Sequence, residues 1–314
     1  MSSYIGVLIA TRNRPAQLSA LLSSLMKSTV PIYQIVVVSS GDLIDKIIQE
    51  FSRELPITHF HSELPGQIRQ KMYGIKLFHQ EIEWVLNLDD DLILDPSAIT
   101  HAIDQITTDE SIVGVGFALP STKKLRGGFL PSLIAQSFGL AEKSPGKILK
   151  NGHASSYLQS SVPIETQWLN SATMWRKEVL VNYQSSYLEA KYAAYEDVIF
   201  SYTVSKTSKL FFQPLSKLTF QEFQPQDVTT LEAFRAASFW RLYFVKVNPE
   251  LSLFLLIWSQ LGRSLDYTFN TTKVLEKRFI SFFQVSRILF SMLRSIPTKN
   301  PTDILRANLT VIAD

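Results

Sequence analysis

Three consecutive carboxylates, Asp89, Asp90 and Asp91, follow the apolar run Val85-Leu86-Asn87-Leu88. Open α/β sheets bind ligands at the carboxyl ends of their strands, so an apolar strand that ends in acids delivers charge to such a site. Adjacent carboxylates repel one another unless a cation sits among them. Mg2+ and Mn2+ suit oxygen donors and take one or two carboxylates together with substrate phosphates. The alternative reading is a solvated acidic turn leading into a helix capped at Asp95-Pro96.

Glu196-Asp197, placed after Tyr195 and before Val198-Ile199-Phe200, is the second acidic feature. Acids at a helix start satisfy free N–H groups and the helix dipole; they also serve as a general base at a pocket mouth. Pro65-Gly66-Gln67-Ile68-Arg69-Gln70-Lys71 sets two cations in the first turns of a helix. Capping favours acids there, so the cations indicate a nearby anion or a solvent-facing helix. Thr11-Arg12-Asn13-Arg14-Pro15, a strand end running into a helix start, reads as an anion site or as an ordinary cap. His59, His61, His79, His101 and His153 are not spaced as a metal pair with an acid, which favours structural or surface roles. Trp168 and Trp175 have rings that either stack on a sugar or pack internally.

These groups sit on a regular framework. The first ~120 residues alternate β-rich runs with helical patterns, which predicts a parallel sheet covered by helices. Strands are expected over residues 4–10, 35–38, 57–61, 84–88 and 112–117. A helix opens at Pro15, with Leu18, Leu21, Leu22, Leu25 and Met26 at helical spacing; a second covers about residues 67–79 and a third starts at Asp95-Pro96. Residues 121–161 lose periodicity and read as an insertion. Order returns at residues 168–175, then a helix near Tyr195, then strands at 210–212 and 218–220. Beyond Pro225 the pattern is helical.

With 314 residues, 46% of them hydrophobic, the chain can bury a full core. It has no cysteine, which removes disulfides, thiolate zinc sites and cysteine nucleophiles and fits a reducing, cytoplasmic address. A net charge of +3 supplies no field for nucleic acid, so no nucleic-acid partner is expected. The longest apolar candidate for a membrane span, residues 251–258, falls far short of about 20 residues.

In their order along the chain, Thr11-Arg12-Asn13-Arg14-Pro15, Val36-Val37-Val38-Ser39-Ser40, Gln70-Lys71 with Gly74-Ile75, Asp89-Asp90-Asp91, Trp168-Leu169-Asn170 with Met174-Trp175-Arg176, and Glu196-Asp197 resemble the family 2 glycosyltransferases. The resemblance spans residues 4–225 and is nearest the branch with a triple aspartate, whose members are associated with bacterial surface polysaccharides. It implies an α/β GT-A fold with a mostly parallel central sheet and a helical C-terminal appendage. Residues 1–225 would form the catalytic domain, divided into a nucleotide-sugar half (1–120) and an acceptor-side half (121–225), with residues 226–314 as the helical region. The implied activity moves a sugar from a nucleotide-diphosphate sugar to an acceptor hydroxyl, with inversion, in surface polysaccharide or glycolipid synthesis.

By the same resemblance, Thr11, Arg12, Ser39, Lys71, Asp89 and Asp90 contact the donor, Asp89 and Asp91 hold Mg2+ or Mn2+, Asp197 is the catalytic base, and Trp168 and Glu196 lie on the acceptor side. The chain departs from the pattern at Ser39, where relatives carry Asp, at Lys71-Met72 in place of Arg-Asn, and at Gln221 in place of a late His. Different readings of the acids are a phosphotransferase with Asp89 as nucleophile and Asp91 as acid/base, and a non-catalytic homologue that binds a sugar nucleotide. The first usually carries its Asp-x-Asp on the first strand, whereas two β–α units precede it here.

Between residues 275 and 294, Leu275, Phe279, Phe282, Phe283, Leu289 and Leu293 make an apolar side, with Lys277, Ser281, Gln284, Arg287, Ser291 and Arg294 opposite. With Lys273 and Arg278 this is a basic amphipathic pattern suited to an anionic membrane surface, or to packing on the catalytic domain with its basic face in water. A saccharide or lipid-linked saccharide acceptor at the inner face of the membrane is the matching expectation.

Overall fold

The structure, a computed structural model, describes residues 4–120, 132–140, 144–181, 194–221, 230–270 and 275–309. β1 (Ile5–Arg12) and β2 (Gln34–Ser40) are apolar and buried over almost their whole lengths, the pattern of strands covered on both faces. α1 (Pro15–Leu25) joins them, with a proline in its first turn and Leu18, Leu21, Leu22 and Leu25 turned inward. α2 (Asp45–Phe51) and β3 (Ile57–His61) repeat the unit, and α3 (Gln67–Ile75) leads to β4 (Trp84–Asp89). β1 lies between β2 and β4, and β3 pairs with β2; all of these pairings are parallel.

The second half comprises β5 (Leu92–Leu94), α4 (Ala98–Thr107), β6 (Ile112–Ala118), α5 (Ser132–Ser137), β7 (Ile164–Thr166), β8 (Thr173–Arg176), α6 (Lys177–Val181), α7 (Glu196–Ser205) and β9 (Lys209–Phe220). The helices α8 (Thr230–Val247), α9 (Leu253–Asn270), α10 (Leu275–Ser295) and α11 (Pro301–Asn308) follow. The sheet order is β3-β2-β1-β4-β8-β6-β9-β5, with β7 on β9. β8 runs antiparallel to both β4 and β6, so the parallel character belongs to the β3-to-β4 side and the other side is mixed.

Three expectations are corrected. The helix expected at Asp95 begins at Ala98, because Asp95 Oδ1 accepts hydrogen bonds from the Ser97 backbone N–H and hydroxyl in a local turn. The strands expected at 210–212 and 218–220 are one strand, β9, which pairs with β6, shifts register after Gln213 and then pairs with β5. In α10 the apolar and basic sides do not separate as expected: Ser281 of the polar stripe is buried with Val285, Ile288, Met292 and Ser295, while Arg287 and Arg294 are exposed together with Phe279, Phe282, Phe283 and Leu293. α2 has no counterpart among the expected elements; it is short, and only Phe51 is fully inside. The expected irregular segment over 121–131 lies outside the described residues.

Two apolar layers flank the sheet, one built around Val7, Ile9, Leu21 and Val37 and the other around Leu8, Val36, Ile75 and Trp175. A third cluster packs Phe239, Trp240, Phe244, Leu256, Met292 and Leu305 of the C-terminal helices against Val198 and Ile199 of α7 and Ile68 of α3. The late helices thereby brace the two helices that carry Lys71 and Glu196-Asp197.

Candidate active site

The pleat of β4 separates the acids. Asp90 turns inward: its carboxylate is buried and accepts hydrogen bonds from the Thr11 hydroxyl at 2.7 Å and from Arg14 Nη1 at 3.0 Å. Burial pushes the Asp90 carboxyl above its usual range, and the Thr11 and Arg14 contacts oppose that shift. Asp89 and Asp91 stay partly exposed on either side. Asp89 Oδ1 accepts from Gln67 Nε2 at 3.0 Å and lies 3.6 Å from Lys71 Nζ. Asp91 is pushed up by burial and then by the charges of Asp89 and Asp90, the repulsion anticipated for adjacent acids. Gln221 fastens this turn: its Nε2 donates to the backbone carbonyls of Gln17, Asp90 and Leu92, and its N–H donates to Asp91 O.

α3 brings a cation to the acids. Gly66, ahead of the helix, has φ 147°, a conformation that favours glycine. At Gly74 a Cβ would stand 2.4 Å from Leu8 Cδ1, so only glycine lets α3 lie this close to β1 and β2. Gln70 Nε2 then reaches the carbonyls of Thr11 and Val38 and ties the two strand ends together. Lys71 is buried, its Nζ 3.6 Å from both Asp89 and Glu196. Burial alone would lower its pKa, but the charges of Glu196, Asp89 and Asp197 outweigh it and hold the ammonium above the usual lysine range.

α7 supplies the opposing acids. Tyr195, just before it, adopts the left-handed φ of 79°, and its hydroxyl donates to Gly152 O. Asp197 Oδ1 accepts from the Val198 N–H at 2.8 Å. Burial, reinforced by the Glu196 charge, pushes the Asp197 carboxyl up to about 7. Lys71, Asn87, Asn170, Ser171, Glu196 and Asp197 line a small cavity that opens to solvent, with Ile75, Trp175, Leu180 and Phe200 as its apolar wall. Asn170 is rigid, donating to Phe117 O and accepting from Ala172 N–H.

The remaining sequence candidates lie at the periphery. Ser39 is buried, its hydroxyl bonded to His59 Nε2 at 2.8 Å and His61 Nδ1 at 3.1 Å. Arg12 is exposed at the end of β1. Trp168 is absent from the cavity lining; its indole donates to Ser155 O and its ring packs on Tyr157. Among the described residues, no three His, Asp or Glu side chains converge as a metal cage. Two partly exposed carboxylates, Asp89 and Asp91, nonetheless fit a divalent ion whose other ligands are water and phosphate oxygens.

The sequence motifs included Arg14 and Gln67, and Gln221 stood as a departure, but their contacts with the acids and the turn around them were not assigned. Sequence reading missed Asn87, whose buried Oδ1 lacks a hydrogen-bond partner among the described residues while the residue lines the cavity. Asn87 shares the period-two face of Asp89, a signal present in the strand pattern.

A sheet whose parallel half ends in acids, faced by the acidic first turn of α7 across a cavity, has the GT-A architecture of glycosyltransferases. Residues 6–161 match the family described as glycosyl transferase family 2. The chain carries a family 2 glycosyltransferase domain and is a glycosyltransferase. Residues 1–349 of S. aureus TarS, solved with UDP-GlcNAc, share its fold with a TM-score of 0.58 at 15% identity, covering 92% of this chain and 81% of that one. The mannosyltransferase PcManGT from Pyrobaculum calidifontis, solved with GDP-Man and Mn2+, gives a TM-score of 0.53 at 11% identity, covering 98% and 79%. No curated protein matches the chain in sequence.

Proposed function

We propose that the protein moves a sugar from a nucleoside-diphosphate sugar to an acceptor hydroxyl in a single displacement that inverts the anomeric centre, with Asp197 as the general base. The observation that carries this reading is the Lys71 bridge, which holds the acid-ended strand β4 and the acidic start of α7 at one cavity. An acceptor hydroxyl is a poor nucleophile, and the departing diphosphate gathers negative charge. A base is therefore needed on one side and cations on the other.

In this reading Asp197 takes the acceptor proton as the new sugar–oxygen bond forms. Its raised pKa makes it a stronger base than an ordinary aspartate. Asp89 and Asp91 would hold Mg2+ or Mn2+, which when bound neutralises the leaving diphosphate. Lys71 and Arg14 add positive charge beside the same strand end. Arg12 and the backbone at Thr11 flank the nucleoside, while Ser39, locked between two imidazoles, shapes that wall. Asp90 positions Thr11 and Arg14, and Glu196 holds Lys71. Trp168 and its loop belong to the acceptor side.

The donors in the TarS and PcManGT structures, UDP-GlcNAc and GDP-Man, support a nucleoside-diphosphate sugar as the donor class. The acceptor is a saccharide or lipid-linked saccharide of surface polysaccharide or glycolipid synthesis, met at the cytoplasmic face of a membrane. Incubating the protein with a panel of nucleoside-diphosphate sugars and Mn2+ tests the reading. Release of nucleoside diphosphate is expected; release of inorganic phosphate would favour phosphotransfer, and donor binding without turnover a non-catalytic homologue.

A further inference from the structure

The last long helices bury a mixed face, Leu256, Val285, Ile288 and Met292 together with polar side chains, and leave large apolar side chains outside. α9 and α10 pack on each other and on α8, and among the side chains they bury are Ser259, Gln260, Ser264 and Thr268 of α9 and Ser281 and Ser295 of α10. Gln260 is fully buried and donates to the Ser238 hydroxyl of α8 at 2.8 Å. Facing outward are Phe254 (74% exposed), Leu255, Trp258 and Leu261 of α9, and Phe279 (60%), Phe283 (65%), Phe290 and Leu293 of α10. Single exposed apolar residues are ordinary in water, but this many large ones on two helices that pack on each other are not. Helices in lipid share this trait, with small and hydroxyl side chains at their contacts and large apolar ones outside.

Charge selects the occupant. Residues 279–295 contain two arginines and no acid. Arg287 and Arg294 are exposed on the outward half of α10, and the Arg294 guanidinium stands 4.3 Å from the centre of the Phe290 ring. Such a side chain can bury its stem among apolar groups while its head reaches anionic phosphates. No helix is long and apolar enough among the described residues to cross a membrane, which leaves shallow insertion.

We propose that α9 and α10 form one lipid-facing surface that inserts Phe254, Trp258, Phe279, Phe283 and Phe290 into the headgroup–acyl boundary of an anionic membrane. This deepens the membrane part of the reading above by naming the inserting face and making apolar burial its main drive. It is separate from sugar transfer, since none of these residues lines the cavity.

The test is flotation of the full chain with vesicles of phosphatidylcholine alone and of phosphatidylcholine mixed with phosphatidylglycerol. Binding to both is expected, stronger to the anionic vesicles and only partly lost in high salt. Phe279→Ser, Phe283→Ser and Phe290→Ser together should cut partitioning by about 10²-fold or more, with donor binding unchanged. Equal partitioning by a folded triple variant would overturn the proposal. So would absence of vesicle binding together with a dimer that the same substitutions dissociate, because a second copy would then cover the face. Trp258 is the exposed tryptophan of the five, so quenching of its emission by brominated acyl chains, lost in Trp258→Phe, is an independent readout that does not need the triple variant to fold. No quenching in the unaltered protein would also overturn it.

Discussion

Lys71 Nζ and Glu196 Oε1 lie 3.6 Å apart with both side chains buried, joining α3 to α7 across 125 residues of chain. Asp89 lies at the same distance on the other side of the ammonium. Removing the cation leaves Glu196 and Asp89 facing each other without compensation. Lys71→Met is expected to destabilise the fold by about 3 kcal/mol, the scale for breaking a buried pair from one side. Denaturant unfolding monitored by tryptophan emission reads this directly; an unchanged midpoint would show that the bridge contributes little.

Asp197→Asn and Asp91→Asn should fail differently. The first keeps shape and much of the hydrogen bonding but removes the base, so transfer should fall by about 10²–10⁴-fold while donor affinity persists. The second should weaken metal and donor binding together, and a chelator should reproduce that loss in the unaltered protein by calorimetric titration. Were Asp197 only a cap, asparagine would serve nearly as well and turnover would survive.

Acidity should govern both rate and stability through Asp197. Its folded value of about 7 lies above the ordinary 3.8, so the folded state holds a proton that the unfolded chain has released. Stability from this group is therefore full below the ordinary value and declines as pH rises toward 7. kcat/KM should move the other way, rising with the ionised fraction and levelling above 7. Asp197→Asn should flatten the stability trend, and melts across that pH window check it.

Thr11→Val deletes the 2.7 Å hydrogen bond to buried Asp90 without changing side-chain volume much. A charged acceptor that loses one of its donors costs about 1.5–3 kcal/mol. The loss should appear in unfolding midpoints. In a double-mutant cycle, most of the effect of Thr11→Val should vanish once Asp90→Asn is already in place.

Much of this protein is local. The apolar runs of β1, β2 and β4, the proline start of α1, the triple acid at a strand end and the Glu196-Asp197 helix start were all legible, because burial on both sheet faces and helix-end chemistry act within a few residues of chain. Which aspartate turns inward was not legible. That depends on Thr11 and Arg14, 79 and 76 residues from Asp90, offering a hydroxyl and a guanidinium on one side of β4. The continuity of β9 was hidden for a similar reason: its two halves pair with different strands, and Pro214 with Ser216 looks like a break until β6 and β5 are in place. In α10 the apolar tally set Phe279 and Phe283 on one side and left open whether lipid or the protein covers it. The tertiary contacts of α8, α9 and α11 instead accept Ser281, Ser295 and Met292, because Ser291 and Ser295 hydrogen-bond the buried Asn308 and hold that face against the protein. Periodicity ranks the faces of an element by their own side chains, but which face is buried is decided by what the neighbouring elements present to it.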